Sequence, residues 1–477
     1  MVAAALALAL ALQAPPPDVT GRIVIAHQWV TRIGREMGDS IWPGFRPDTI
    51  PVLYVVPDQG RLILGWRGAL PEGFVGFENL ANAGWQPTAT RGAASTGTEL
   101  AGRPTAQVVV DSQGVAALVG LTTHEAFHVF QRIARQPGKR FGEGENSFLV
   151  TRYPVFDPQN EAGMALEGRI LAAAQEARTR ALQKRLARQF LAVREARQRA
   201  LDTELANFEQ LVELNEGLAE YTLLRSVQLA ALNADFPDRA GAQRMQAGKL
   251  VGLHKLTENV TLSIRLRYYA TGPALGALLD ALEGPAWKPR LLNQNLTVQD
   301  ALADASGYRA TELALRRQAE STFVMTALRR SADSGVAGLR AIRKAQVDSV
   351  LAAPGVLLVV SVVGRSIGLC GIDPQNLLQV DQDVLLHMRW VQACSGDAFQ
   401  ATFNTPVVYD ERTMRAVVGA DSSLHLTVAG KAVPHADARM TNATEVRLES
   451  PLVSLRAAAA EITREGRVLT IKVLRRG

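Results

Sequence analysis

The chain has only two cysteines, Cys370 and Cys394, in 477 residues. That excludes a disulfide-stapled miniature scaffold, and neither cysteine has the spacing of a zinc ligand. In an oxidising compartment the two can form one disulfide; two buried free thiols fit the sequence equally well. Long apolar runs are also missing. No segment after the N-terminus approaches the roughly 18 uncharged apolar residues of a membrane-spanning helix, so no stable span is expected. Neither sign of charge dominates, since 52 Lys and Arg face 46 Asp and Glu. One stretch, residues 178–199, is basic, with Glu195 as its single acid and Phe190 as its single aromatic. Without interleaved stacking residues it reads as the solvated face of a helix, and no nucleic-acid partner is expected. No internal repeat is evident.

The chain begins with an Ala- and Leu-rich run, followed by Gln13, Ala14 and three prolines. About a dozen apolar residues suit a signal-peptide core rather than a span, with residues 1–14 removed on export to the periplasm or medium. Residues 19–37 carry apolar residues at helical spacing, and His27 on that helix reads as structural. Strands follow at 50–56, 61–66 and 106–110, with a hairpin turn at Asp58, Gln59 and Gly60. Residues 84–104 read as a loop, which makes 106–110 the candidate edge strand of a small sheet spanning 50–112. A helix is expected at 115–134, stopped by Pro137 and Gly138. Residues 160–233 hold no proline and are rich in helix formers. They are too many for one ordinary helix, so a break is expected near Asp202. From 285 to 352 the pattern stays helical, with loops at 293–297 and near Gly335. Ala353, Pro354 and Gly355 then mark a boundary. Beyond it, short apolar runs divided by turns predict an all-β domain over 355–477, an antiparallel sandwich or barrel. The fold class is therefore α+β. His387, His425 and His435 share no ligand spacing and receive no role.

The chemistry concentrates in His124-Glu125-Ala126-Phe127-His128. Residues four apart share one face of a helix, so the two imidazoles can hold one zinc ion. Glu125 can reach the same cleft and take a proton from water. The plain alternative is two histidines on a packed helix. A second candidate lies far downstream, where Glu213, Glu216 and Glu220 fall at i, i+3, i+7, on one expected helical face beside an apolar stripe of Leu211, Leu214, Leu218 and Tyr221. Gly217 in mid-helix costs about 1 kcal/mol against Ala, so another helix or a metal site should approach it closely.

With His124-Glu-x-x-His128, the stretch Leu214-Asn215-Glu216-Gly217-Leu218-Ala219-Glu220-Tyr221 resembles the gluzincin metallopeptidases. These include the thermolysin-like enzymes and the leucyl/alanyl aminopeptidases. The resemblance covers roughly residues 105–285 and rests on short motifs. It implies a mostly helical zincin-like catalytic domain over 15–352, with a zinc helix at 115–134, a helical insertion at 160–210 and a third-ligand helix at 211–232. It implies Zn²⁺ held by His124, His128 and Glu216, with Glu220 orienting a histidine. Glu125 would be the general base. Tyr269, three residues before Gly272, would match the tyrosine that donates to the oxyanion; Pro273 departs from that pattern. His254 and Arg267 are weaker site candidates. The spacing also departs, because 87 residues lie between His128 and Glu216, far more than in those families. Glu145 lies nearer the usual distance, but its Gly-rich surroundings favour Glu216. The strand that holds a free substrate amine in the aminopeptidases has no match; Gly97-Thr98-Glu99-Leu100 comes nearest. The expected activity is zinc-dependent hydrolysis of peptide bonds in a peptide or protein substrate. A zinc hydrolase of another substrate, or an exported non-catalytic scaffold, are the alternatives.

Overall fold

A computed structural model describes residues 17–474 except 78–79, 89–92, 259–263, 311–312, 375, 382 and 437. The expected signal segment, residues 1–14, lies outside the described residues. The chain divides into two compact units. The first comprises Met1–Glu145, Gly163–Glu258 and Arg265–Met325; the second comprises Asn146–Ala162, Asn259–Ile264 and Thr326–Gly477.

The first unit opens with helix α1 (Pro17–Ile41), which buries Ile23, Ala26, Val30 and Ile33 along one stripe. A six-stranded sheet follows, in the order β3-β4-β2-β1-β6-β5. Its strands are β1 (Val52–Val56), β2 (Gly60–Leu64), β3 (Val75–Gly76), β4 (Ala83–Pro87), β5 (Thr96–Leu100) and β6 (Arg103–Val109). Strand β1 is buried along its whole length. Leu53 and Ile63 pack with Trp66 and Phe74 on one face. On the other face the Tyr54 hydroxyl lies 3.2 Å from Thr122 Oγ1.

The edge strand is not the expected one. β6 pairs in parallel with β1 and antiparallel with β5, so it lies inside the sheet. The exposed edge is β5, within the stretch read as a loop. Ala101 and Gly102 take positive φ (46° and 74°) and fold residues 96–100 back onto β6 as a two-residue hairpin. A strand composed Thr-Gly-Thr-Glu-Leu has no apolar alternation to betray it, because much of it meets solvent.

The helices are α2 (Val115–Ala134), α3 (Pro158–Glu176), α4 (Arg180–Gln198) and α5 (Thr203–Val212), then a π-helical turn (Glu213–Gly217) that runs into α6 (Leu218–Ala231). The break near Asp202 is there, and the Asp202 side chain accepts the Glu204 N–H. After these come α7 (Arg239–Glu258), α8 (Ile264–Glu283), α9 (Trp287–Asn293), α10 (Val298–Ser306) and α11 (Leu313–Thr322). Tyr269 lies inside α8, one turn before Pro273.

The basic run at 178–199 is not simply a solvated face. Arg194 and Arg197 are buried in α4. Arg194 bridges Glu167 of α3 and Glu213 at 2.8 and 2.7 Å. Arg197 bridges Glu167 and Glu209, each at 2.6 Å. Buried carboxylates from the neighbouring helices recruited these arginines, which a count of charges along the run does not reveal.

In the second unit, α12 (Met325–Ala352) continues through Gly335, where a loop was expected. Buried Leu328, Ala332, Val336, Leu339 and Arg343 keep one stripe and carry the helix past both of its glycines. Thirteen strands follow: β7 (Leu357–Val362), β8 (Gly368–Ile372), β9 (Leu377–Asp381), β10 (Val384–His387), β11 (Val391–Ser395), β12 (Phe399–Phe403), β13 (Val407–Tyr409), β14 (Thr413–Val417), β15 (His425–Val428), β16 (Lys431–Val433), β17 (Arg439–Glu449), β18 (Val453–Glu465) and β19 (Val468–Val473). They form one near-barrel sheet, antiparallel except for the parallel pair of β7 and β19. Cys370 of β8 and Cys394 of β11 are joined as a disulfide, which settles that alternative. The architecture is α+β. Among the described residues no helix is long and apolar enough to cross a membrane.

His387, on β10, is 1% exposed, and neither ring nitrogen has a hydrogen-bond partner among the described residues. Burial pushes its imidazole down to about 4, against a small opposing pull from Asp373. The unfolded chain therefore takes up this proton first. Stability is complete above pH ~6.5 and is lost as the pH falls toward 4. A shift of this size corresponds to about 3 kcal/mol. His387→Leu should flatten the loss of melting temperature between pH 6.5 and 4, relative to wild type. Parallel melting curves for the two proteins would show His387 silent.

Candidate metal centre

Helix α2 carries both histidines and is apolar nearly all round, so it lies buried. Gly114 at its N-terminus offers no side chain as a cap. Asp238, at the start of α7, supplies one instead and accepts the Ala116 N–H at 3.0 Å. On the face of α2 away from the histidines, Phe127 packs among Trp42, Phe45, Phe130 and Phe141.

The helical detour folds back as the metal reading requires. Glu216 Oε2 lies 3.5 Å from His124 Nε2 and 3.4 Å from His128 Nε2. The two Nε2 atoms are 3.1 Å apart. Ligands about 2.0–2.1 Å from a tetrahedral zinc are separated by about 3.3–3.4 Å. The three atoms therefore outline one face of such a tetrahedron, and the donor set fits the ion. His124, His128 and Glu216 form the only cluster of this kind found among the described residues.

The surroundings fix these three side chains. His128 Nδ1 lies 2.9 Å from Gln131 Oε1. Gln131 in turn donates to the backbone carbonyls of Leu214 and Asn215, both at 3.1 Å. This sets the His128 tautomer and turns Nε2 toward Glu216. His124 Nδ1 lies 3.2 Å from Glu220 Oε2, an ion-pair distance with poor hydrogen-bond alignment. Glu220 thus sits where a carboxylate would orient His124. Tyr269 stacks on the His124 ring at 5.7 Å and donates its hydroxyl to Glu216 Oε2. Glu125 is 5% exposed, and its Oε2 has no hydrogen-bond partner among the described residues.

Electrostatics favour a cation here. Burial alone would lower the His124 imidazole, but the neighbouring carboxylates of Glu216, Glu220 and Glu125 overcome it and raise His124 to about 10. His128 is raised against its own burial by Glu216. Glu216 is held well below the usual carboxylate range; His128, His124 and Arg265 outweigh its burial. Glu125 moves the other way, pushed up chiefly by burial. A divalent cation would satisfy the same field on releasing the imidazole protons.

The three glutamates do not all share one face. Glu216 and Glu220 both turn to His124, while the π-helical turn sends Glu213 elsewhere; such turns are frequent at functional sites. Glu213 points to Arg194 and accepts from Thr271 at 2.6 Å, while Glu216 faces the histidines. Gly217 has its reason in α8: a Cβ there would lie 2.9 Å from Gly272 Cα and 3.3 Å from the Tyr268 carbonyl oxygen. Glu145, the rival ligand, does not enter the cluster; it pairs with Arg265 at 2.6 Å. Arg267 lies away from it, donating to Met164 Sδ, and His254 on α7 is not among the cluster's ligands. Sequence reasoning missed Gln131 and Arg265. Gln131 is three residues after His128 and Arg265 four before Tyr269, so helical spacing alone could have flagged both.

No protein family, curated protein or solved structure matches this chain.

Gly217→Ala should destabilise the protein by about 1–3 kcal/mol through overpacking against Gly272. Urea unfolding measures it. A variant as stable as wild type would mean that the two helices part freely.

Proposed function

We propose that this chain is a zinc-dependent hydrolase of peptide bonds, built on a zincin-like helical unit of the gluzincin kind. The observation that carries the reading is the spacing of His124 Nε2, His128 Nε2 and Glu216 Oε2, which suits three ligands of one tetrahedral zinc. Bound there, zinc supplies a Lewis acid that polarises a carbonyl and makes a water acidic enough to attack it near neutral pH. Glu125 is the general base: its buried carboxylate has a raised proton affinity and an unpartnered oxygen. It accepts the water's proton and hands it to the leaving amine. The Tyr269 hydroxyl, whose one proton goes to Glu216 Oε2 here, would turn from it to donate to the charge that develops on the carbonyl oxygen.

A peptide is favoured as substrate by strand β5. Leu100 of β5 and Arg103 of β6 close the hairpin, so the pairs Thr98–Thr105 and Thr96–Gln107 exchange hydrogen bonds and the alternate residues Gly97 and Glu99 turn their backbone groups outward. Gly97 lies against His128 and Val129 of α2. An extended peptide added to this edge would run past the histidines. The disulfide supports an exported protein, since such bonds persist in oxidising compartments.

The purified protein should hold one zinc per chain, measured by elemental analysis, and His124→Ala should lose it. Glu125→Gln should retain zinc while casein hydrolysis falls by about 10²–10⁴. Metal content near zero in wild type, or undiminished hydrolysis by Glu125→Gln, would sink the proposal.

A further inference from the structure

The two oxygens of Glu216 have different partners. Oε2 faces both imidazoles, whereas Oε1 accepts from Arg265 Nη2 at 2.6 Å. Arg265 is itself pinned, because its Nε and Nη2 both donate to Glu145 Oε1, at 3.1 and 2.6 Å. The other oxygen of Glu145 accepts from Asn215 Nδ2 at 2.6 Å. Asn215 precedes Glu216, and its carbonyl accepts from Gln131, the residue that holds His128. The contacts form a closed ring through His128, Gln131, Asn215, Glu145, Arg265 and Glu216. The side chains of Arg265, Glu145 and Glu216 are 11%, 4% and 8% exposed, so solvent does little to loosen them.

We infer that Arg265, locked by Glu145, is a positioning residue that holds back one oxygen of Glu216, so that this carboxylate offers a single donor to the metal. The inference rests on the metal reading above. Its chemical consequence is an open position. Two imidazoles and one carboxylate oxygen leave a fourth place for water or substrate in a catalytic zinc site, and a carboxylate free to offer both oxygens would crowd that place with a fifth donor. Glu145 serves the site as the anchor of the arginine, not as a ligand.

Cobalt(II) is the probe, because its visible absorption weakens as ligands are added beyond four and reports coordination directly. The wild-type chain, Arg265→Met and Glu145→Gln are each titrated with cobalt against a competing chelator. Glu145→Gln keeps a polar group beside Arg265 and Asn215, so it covers the case in which the more severe variant does not fold. Arg265→Met should bind cobalt about 10–100-fold more weakly, with its visible absorptivity at least halved. Glu145→Gln should shift both in the same direction by less. A merely structural role would leave the spectrum of the folded, loaded protein unchanged. Wild-type spectra and affinities in both variants overturn the inference while leaving the metal site standing. Failure of the wild-type chain itself to take up cobalt overturns the metal reading instead.

Discussion

A carboxylate buried without a cation is strongly unfavourable, and the segment from Glu209 to Glu216 buries three. Glu209, Glu213 and Glu216 are 1%, 2% and 6% exposed. Each is matched from another element. Arg197 of α4 takes Glu209, Arg194 of the same helix takes Glu213, and Arg265 of α8 joins the histidines of α2 on Glu216. Charge pairing therefore helps decide which helices surround the π-helical turn and in which register. Buried ion pairs add little net stability over apolar packing, yet removing one partner typically costs about 3–5 kcal/mol. Such a network acts as a specification of geometry, and geometry is what a metal site needs.

Some of this was legible in the sequence. The bounds of α2 follow from apolar residues, the Pro137-Gly138 stop and the histidine pair. The motif pointed to Glu216, and the structure does bring it to the histidine pair in spite of its distance along the chain. The break at Asp202 follows from an N-cap residue inside a run of helix formers. What could not be read is the partnering. Nothing in the basic run distinguishes Arg194 and Arg197, which are buried, from Arg199, which pairs with Glu195 at the surface. The distinction depends on which carboxylates α3 and α5 bring beside α4.

Two misreadings share a cause. Glu213, Glu216 and Glu220 fall on one face only if the helix keeps its regular turn, and the π-helical turn interrupts it. Strand β5 looks like a loop only if strands are sought by apolar alternation, which an exposed edge does not require. In both places the local pattern gives way to tertiary surroundings. Glu213 leaves the side of Glu216 and Glu220 to meet Arg194 and Thr271, and β5 can be polar because much of it meets solvent.

The detour between His128 and Glu216 was the weakest point of the metal reading, and the structure gives it a physical role. Helices α3 and α4 do not simply loop out and return. They carry Glu167, Arg194 and Arg197, and two of these contact the carboxylates on either side of the Val212 turn, Glu209 and Glu213. Gly217 then lets α8 approach until backbone meets backbone, which brings Arg265 and Tyr269 to Glu216. Helices α3 and α4 thus hold the turn from one side and α8 holds it from the other. A carboxylate so far in sequence from the two histidines it meets can be placed to within a fraction of an ångström only if the chain between them is itself fixed to the carboxylate's own turn, and in this unit it is.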